Sequence, residues 1–213
     1  MSSFIIRQKE MGPMENFVYL IGDKETKQAA IVDPGWDADA IIKMAEDEGY
    51  KITDILVSHF HFDHTNALAP LLKKIDVKVH LNKAEVPYLK VGEGNLHAVE
   101  SGDILTLGKT NIRFIHTPGH TPGSQCFHVD DNLISGDTLF INGCGRCDLP
   151  GSNPEQMYES LHTKLMKLKD ETILYPGHNY AATPTSTIAE EKKNNPYMIR
   201  ESLQDFLRLR MGF

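Results

Sequence analysis

Ser58-His59-Phe60-His61-Phe62-Asp63-His64 sets His59, His61, Asp63 and His64 within six residues, immediately after the apolar run Ile52-Thr-Asp-Ile-Leu-Val57. In an extended segment, side chains two apart point to the same side, so His59 and His61 converge on one ion. The chain then turns into a helix, which aims Asp63 and His64 at a different angle, toward a second ion. Two ions about 3.5 to 4 Å apart are the natural use of such spacing. A lone histidine ordinarily sits on a solvated loop, but that account does not explain four donors so close together.

Working outward, Ile52 to Ser58 reads as a buried strand, and HFHFDHTNALAPLLKK as a loop entering a helix. Before it, FIIRQ, NFVYLIG and QAAIVD read as strands of an antiparallel opening sheet, with Gly12-Pro13 and Gly22-Asp23 as the turns. DADAIIKMAEDEG carries Ala38, Ile41, Ile42 and Ala45 at helical spacing and is closed by Gly49. Beyond it, KVHL, DILTLG, NIRFIH, QCFHV and NLISG are short strands that suggest a second sheet. Asn153 to Leu168 is a helix with Asn153 as N-cap and Pro154 in its first position, TILYPG is the next strand, and ESLQDFLRLRM is an amphipathic helix. Two groups of strands, each followed by helices, predict a mixed α/β fold with two sheets face to face and helices outside.

Three distant residues complete the donor set. His120 lies in TPGHTPGS, where proline and glycine fix a tight backbone at the end of NIRFIH. Asp137, in ISGDTLF, is a strand-end carboxylate whose two oxygens can bridge two ions. His178, in YPGHNY, again follows a strand. Nitrogen and oxygen donors of this kind suit zinc, iron or manganese. His80, His97, His116, His128 and His162 lack such contexts and read as ordinary packing or surface histidines.

The 213 residues are 40 % hydrophobic and 24 % charged, which fits one globular domain spanning the chain with a short helical tail. A net charge of −7 with scattered basic residues argues against a nucleic-acid surface or an anionic membrane and for a small substrate. No run approaches the roughly 20 apolar residues of a membrane span, and MSSFIIRQKEMG lacks a signal-peptide core, so a cytoplasmic location is expected. Cys126, Cys144 and Cys147, an odd number, read as reduced thiols; one Cys-x-x-Cys is a weak sign of zinc or redox chemistry, since a closed zinc site wants four ligands.

Taken in order, SHFHFDH, TPGHTPGS, SGDTLF and YPGHNY resemble the metallo-β-lactamase superfamily over roughly residues 14 to 198. GDTLF followed by GCGR, and the tail PTSTIAEEKKNNPY, look most like its glyoxalase II branch (hydroxyacylglutathione hydrolases) and the related persulfide dioxygenases. The resemblance implies a four-layer αββα sandwich with the metals at one edge of the two sheets. It assigns His59, His61 and His120 to the first metal, Asp63, His64 and His178 to the second, and Asp137 to the bridge. Arg146, in GCGRCD, and Tyr180 fall where relatives contact the glutathione part of the substrate. Two departures stand out: Ser58 replaces the more usual threonine, and the chain ends soon after Pro196, where glyoxalase II continues into a long glutathione-gripping helical region.

The leading expectation is hydrolysis of a small or glutathione-derived thioester. Two divalent ions, zinc first with iron or manganese as alternatives, would make hydroxide available near pH 7. Asp63 would orient it, and Asp137 would hold both ions. The alternative is a persulfide dioxygenase with a single Fe(II) held by two histidines and Asp137. GCGR leans toward it, whereas LPGSNPE after Asp148 departs from its pattern. A homodimer is left open.

Overall fold

Alternation along one strand shows how the layers form. In β2 (Asn16–Asp23), Val18 and Leu20 join one apolar cluster while Phe17, Tyr19 and Ile21 join another on the opposite face. Buried on both sides, the strand reads as a continuous apolar run. The computed structural model describes residues 2–90 and 94–212.

The first sheet runs in sequence order: β1 (Phe4–Met11), β2, β3 (Gln28–Val32), β4 (Lys51–Val57), β5 (Lys78–Asn82) and β6 (Leu96–Val99). Its first three strands pair antiparallel, as expected, and β3 to β6 pair parallel. The second sheet begins with β7 (Ile104–Leu107), β8 (Thr110–His116), β9 (Gln125–Val129) and β10 (Asn132–Gly136). A small hairpin, β11 (Leu139–Phe140) and β12 (Gly143–Cys144), follows, and β13 (Ile173–Pro176) and β14 (Ser186–Thr187) complete the second sheet in the order β14-β13-β10-β9-β8-β7. Phe17, Tyr19, Leu56, Phe114 and Phe127 fill the space between the sheets.

Helices α1 (Ala38–Asp47), α2 (Phe62–Thr65) and α3 (Leu68–Leu72) belong to the first half; Ile41, Ala45, Leu68 and Leu71 pack on the outer face of the first sheet. Met157 of α4 (Pro154–Glu159), Ile188 of α5 (Ile188–Asn194) and Phe206 of α6 (Leu203–Met211) pack on the outer face of the second. The result is the αββα sandwich. No helix among the described residues is long and apolar enough to cross a membrane.

Four local readings differ from the structure. Gly22 lies inside β2, paired with Ile5 and Ala29, rather than in a turn, and is glycine because the Tyr50 ring occupies the space a side chain would need; the turn falls after Asp23. The segment after the histidine cluster forms two short helices, not one: Asn66 caps α2 and accepts from Trp36 N, and α3 restarts so that Pro70 falls in its first turn, where no backbone donor is required. Helix α4 is capped by Asn153, whose side chain accepts from Gln156 N at 2.8 Å, but regular α geometry stops at Glu159, and Ser160–Lys164 continues as a wider turn. Strands β6 and β14, the β11–β12 hairpin and helix α5 were not anticipated at all.

Candidate metal centre

Every residue of the donor set leaves the end of a strand at the same edge of the sandwich. β4 ends at Val57 and delivers His59 to His64; β8 ends at His116 and the TPGH loop delivers His120; β10 ends at Gly136 and delivers Asp137; β13 ends at Pro176 and delivers His178. The two sheets are sewn together here. Phe17 N donates to Gly177 O at 2.8 Å, Asn179 N to Glu15 O at 2.8 Å, and Gln125 N to Ser58 O at 3.0 Å. Gly145 and Gly177 are required by crowding, since a Cβ on either would collide with Asp137.

The structure brings all seven side chains together. Three groups have donor atoms within 4.8 Å of one another: His59, His61 and His120; Asp63, His64 and His178; and, behind them, Asp33, His59 and His64. Asp137 lies between the first two, with Oδ1 3.3 Å from His64 Nε2 and Oδ2 3.5 Å from His120 Nε2 and 3.4 Å from His178 Nε2. Asp63 Oδ2 is 3.3 Å from His64 Nε2 and 3.4 Å from His178 Nε2, and accepts from Asn16 Nδ2 at 2.7 Å.

The far side of four rings is already committed. His120 Nδ1 donates to Arg146 O and His178 Nδ1 to Met14 O, each at 2.8 Å, while His59 Nδ1 meets Ser58 Oγ at 2.9 Å and His64 Nδ1 meets Asp33 Oδ2 at 3.0 Å. Such contacts fix each ring so that Nε2 faces the cluster, the arrangement expected around a cation. His120 Nε2 and His61 Nδ1 approach to 2.9 Å, and His64 Nε2 and His178 Nε2 to 3.2 Å, so the ring nitrogens converge on a shared space. His59 Nε2 and Asp137 Oδ1 are buried with no hydrogen-bond partner. A divalent cation satisfies all of these requirements, so the residues fit the group.

Electrostatics point the same way. Burial pushes the His59, His61 and His120 imidazoles below their ordinary value, His61 to about 4 with help from the neighbouring His120, so these rings present lone pairs rather than protons. For His64, burial acts in the same direction but is overcome by Asp137, Asp33 and Asp63, and for His178 by Asp137; both rings rise. Burial also opposes ionisation of Asp137 and Asp63, yet the surrounding histidines hold both carboxyls well below the usual range. Ionised carboxylates on Asp63 and Asp137 and neutral rings on His59, His61 and His120 are the donor states that a cation takes.

Asp33 enters the sequence reading only as the last residue of the strand QAAIVD, and its role was missed. Its carboxylate accepts from Ser58 N at 2.7 Å and Ser58 Oγ at 2.6 Å and meets His64 Nδ1, so it holds the histidine loop from behind. Its strand-end place in IVDPG matches that of Asp137 and could have flagged it. Ser58, despite departing from threonine, supplies the hydroxyl this contact needs. Asn16 had no such signal: it lies in an apolar strand, and its contact with Asp63 spans 47 positions.

Outside the donor set a cavity of about 600 Å³ opens, lined by His61, Asp63, His120, Asp137 and His178 on its floor. Phe62, Phe140 and Tyr180 form its apolar wall, and Arg146 and Arg210 its basic side. Tyr180 stacks on His178 with ring centroids 4.7 Å apart. Arg146 is paired with Asp148 through contacts of 2.9 and 2.8 Å, and Arg210, from α6, was not anticipated. All three cysteines are free and buried, and burial pushes the Cys126 and Cys147 thiols up to about 11 and Cys144 higher still, so none is a thiolate near neutrality. His80 is paired with Asp54 at 2.7 Å and His116 bonds Pro122 O, away from the donor groups.

The chain is similar to several known proteins. A probable polyketide biosynthesis zinc-dependent hydrolase, BaeB, of Bacillus velezensis is 34 % identical over 92 % of this chain and 87 % of its own length. Hydroxyacylglutathione hydrolase GloC of Haemophilus influenzae is 33 % identical over 86 % of this chain and 92 % of its own, and human mitochondrial persulfide dioxygenase ETHE1 is 30 % identical over 91 % and 75 %. The solved structure of ETHE1 from Myxococcus xanthus superposes with a TM-score of 0.89 at 32 % identity, covering 97 % of this chain and 90 % of that one. The family model of the metallo-beta-lactamase superfamily matches residues 11–178, and with its fold and His/Asp cluster the chain belongs to that superfamily of metallo-hydrolases and their relatives.

Proposed function

We propose that the protein hydrolyses a small thioester, in the manner of the hydroxyacylglutathione hydrolases it resembles. The observation that carries this reading is the placement of Asp137 between two donor groups at the floor of an open cavity. Bound there, divalent cations would lower the pKa of a water from about 15.7 to near 7 and polarise a carbonyl oxygen. His59, His61 and His120 would hold one ion, Asp63, His64 and His178 the other, and Asp137 would bridge them.

The chain's own residues then have separable tasks. Asp63, held by Asn16, lines the cavity and orients the attacking water through its carboxylate. Tyr180, stacked on His178, and Phe140 exclude solvent from the carbonyl side. Arg146 and Arg210 face the thiol portion of the substrate. A thiolate, with a free pKa of about 8.5, leaves with little help from a general acid, and no such acid is needed in the cavity. The substrate class is a small molecule, neither nucleic acid nor lipid surface.

Elemental analysis of protein purified without added metal, paired with release of free thiol from a hydroxyacylglutathione, tests the reading. Zinc with thiol release supports it, and absence of turnover on thioesters with the metal present removes it. A second reading draws support from the ETHE1 relatives: one Fe(II) on two histidines and Asp137, with persulfide oxidation. Iron content with oxygen uptake on glutathione persulfide would favour it.

A further inference from the structure

Glu85 follows β5 and is completely shielded from solvent. Its Oε2 accepts from Phe60 N at 2.7 Å, and its Oε1 accepts from Thr121 Oγ1 at 2.7 Å and Gly123 N at 2.5 Å. Phe60 stands between His59 and His61, and Thr121 is next to His120. A single carboxylate therefore joins the two loops, one from each sheet, that supply the trio His59, His61 and His120.

Burying a carboxylate is costly unless each oxygen is hydrogen-bonded, and here three donors converge on it. An ionised carboxylate is acceptor only and takes all three without conflict; an amide in its place turns an NH₂ group toward at least one donor. We propose that Glu85 is a positioning residue that presets the spacing of the three-histidine trio and so sets its affinity for a cation. The proposal rests on the reading of the site as a metal centre. Zinc binding by the unaltered protein tests that reading by itself, and only the Glu85 variants test the clamp.

The experiment measures zinc affinity by chelator competition, with imidazole nitrogen NMR to locate the ion, in unaltered protein, Glu85→Gln and Asp23→Asn. Asp23 is a second fully buried carboxylate, at the opposite end of β2 from Asn16. Glu85→Gln is expected to fold, by far-UV circular dichroism, and to bind zinc about ten- to a hundredfold more weakly at His59, His61 and His120, the usual effect of losing a residue that supports metal ligands. Asp23→Asn is expected to lower the thermal midpoint without altering zinc affinity. Equal affinity in Glu85→Gln and unaltered protein overturns the proposal, as does an equal loss in Asp23→Asn. Should Glu85→Gln not fold, Thr121→Val deletes one of the three donors: a severalfold loss of zinc affinity there supports the clamp, and an unchanged affinity overturns it.

Discussion

Replacing Asp137 by alanine removes the carboxylate that both donor groups face and leaves His64, His120 and His178 without their shared partner. The Asp137→Ala protein is expected to lose metal affinity by more than about a hundredfold, beyond what a merely supporting partner contributes, and to lose turnover with it. Metal content after dialysis against chelator, read beside thioester turnover, checks this; full retention of both would exclude a bridging role. Asp33→Asn should have a smaller effect, about ten- to a hundredfold on metal affinity, because it frees His64 to rotate and unties Ser58 without removing a donor facing the ions. Chelator competition measures it, and an unchanged constant would mean that packing alone holds His64. At this scale the sequence was most legible. Each donor sits beside glycine or proline, or among other donors, and those contexts survive in a one-dimensional string. Asp33, Asn16, Glu85 and Arg210 were illegible, or nearly so, because what they do is set by partners distant in sequence.

Among the elements, caps and breakers were readable: Asn153 opens α4, and Gly49, with φ of +73°, follows α1. Short pairings were not. The β11–β12 hairpin has two residues per strand, too few for periodicity to show, and it is stabilised by α5 and the residues just after it, from the other end of the second half. Asn195 Nδ2 donates to Phe140 O at 3.1 Å and Gly143 O at 3.0 Å, and Glu191 Oε2 accepts from Asn142 N at 2.8 Å. The tail PTSTIAEEKKNNPY thus clamps the hairpin that carries Phe140 into the cavity wall. Asn195→Ala leaves two carbonyls unmet and should cost about 1 to 3 kcal/mol of stability. Urea unfolding of the variant measures that loss, and KM should rise more than kcat falls, since Phe140 lines the cavity without holding an ion. A kcat loss with unchanged KM would contradict that assignment.

For the molecule as a whole, Asp23 matters in a way the site does not reveal. It accepts from Thr26 N and Oγ1 at 2.8 Å each, and from Lys109 N at 3.0 Å and Thr110 Oγ1 at 2.9 Å, joining the β2–β3 turn of one sheet to the β7–β8 turn of the other. Burial favours its neutral form, but these hydrogen bonds overcome that and hold the carboxyl below the usual range. Its unfolded pKa is near 3.9, so the unfolded chain takes up a proton first; the stabilisation is present above about pH 4 and is lost as pH falls further. The stability gap between metal-free unaltered protein and Asp23→Asn should therefore be widest near neutrality and narrow below about pH 4. Denaturant titrations at several pH values test it, and a gap constant down to about pH 3 would remove Asp23 from the account.

The sandwich is thus fastened at both short edges: by Asp23 at one, and at the other by the Phe17–Gly177, Asn179–Glu15 and Gln125–Ser58 bonds beside the histidines. A book bound along two sides does not open. Entry and exit of reactants are left to the rim, where Met14, Phe62 and Tyr180 stand exposed, and any gating belongs to rotations of those side chains rather than to a parting of the layers.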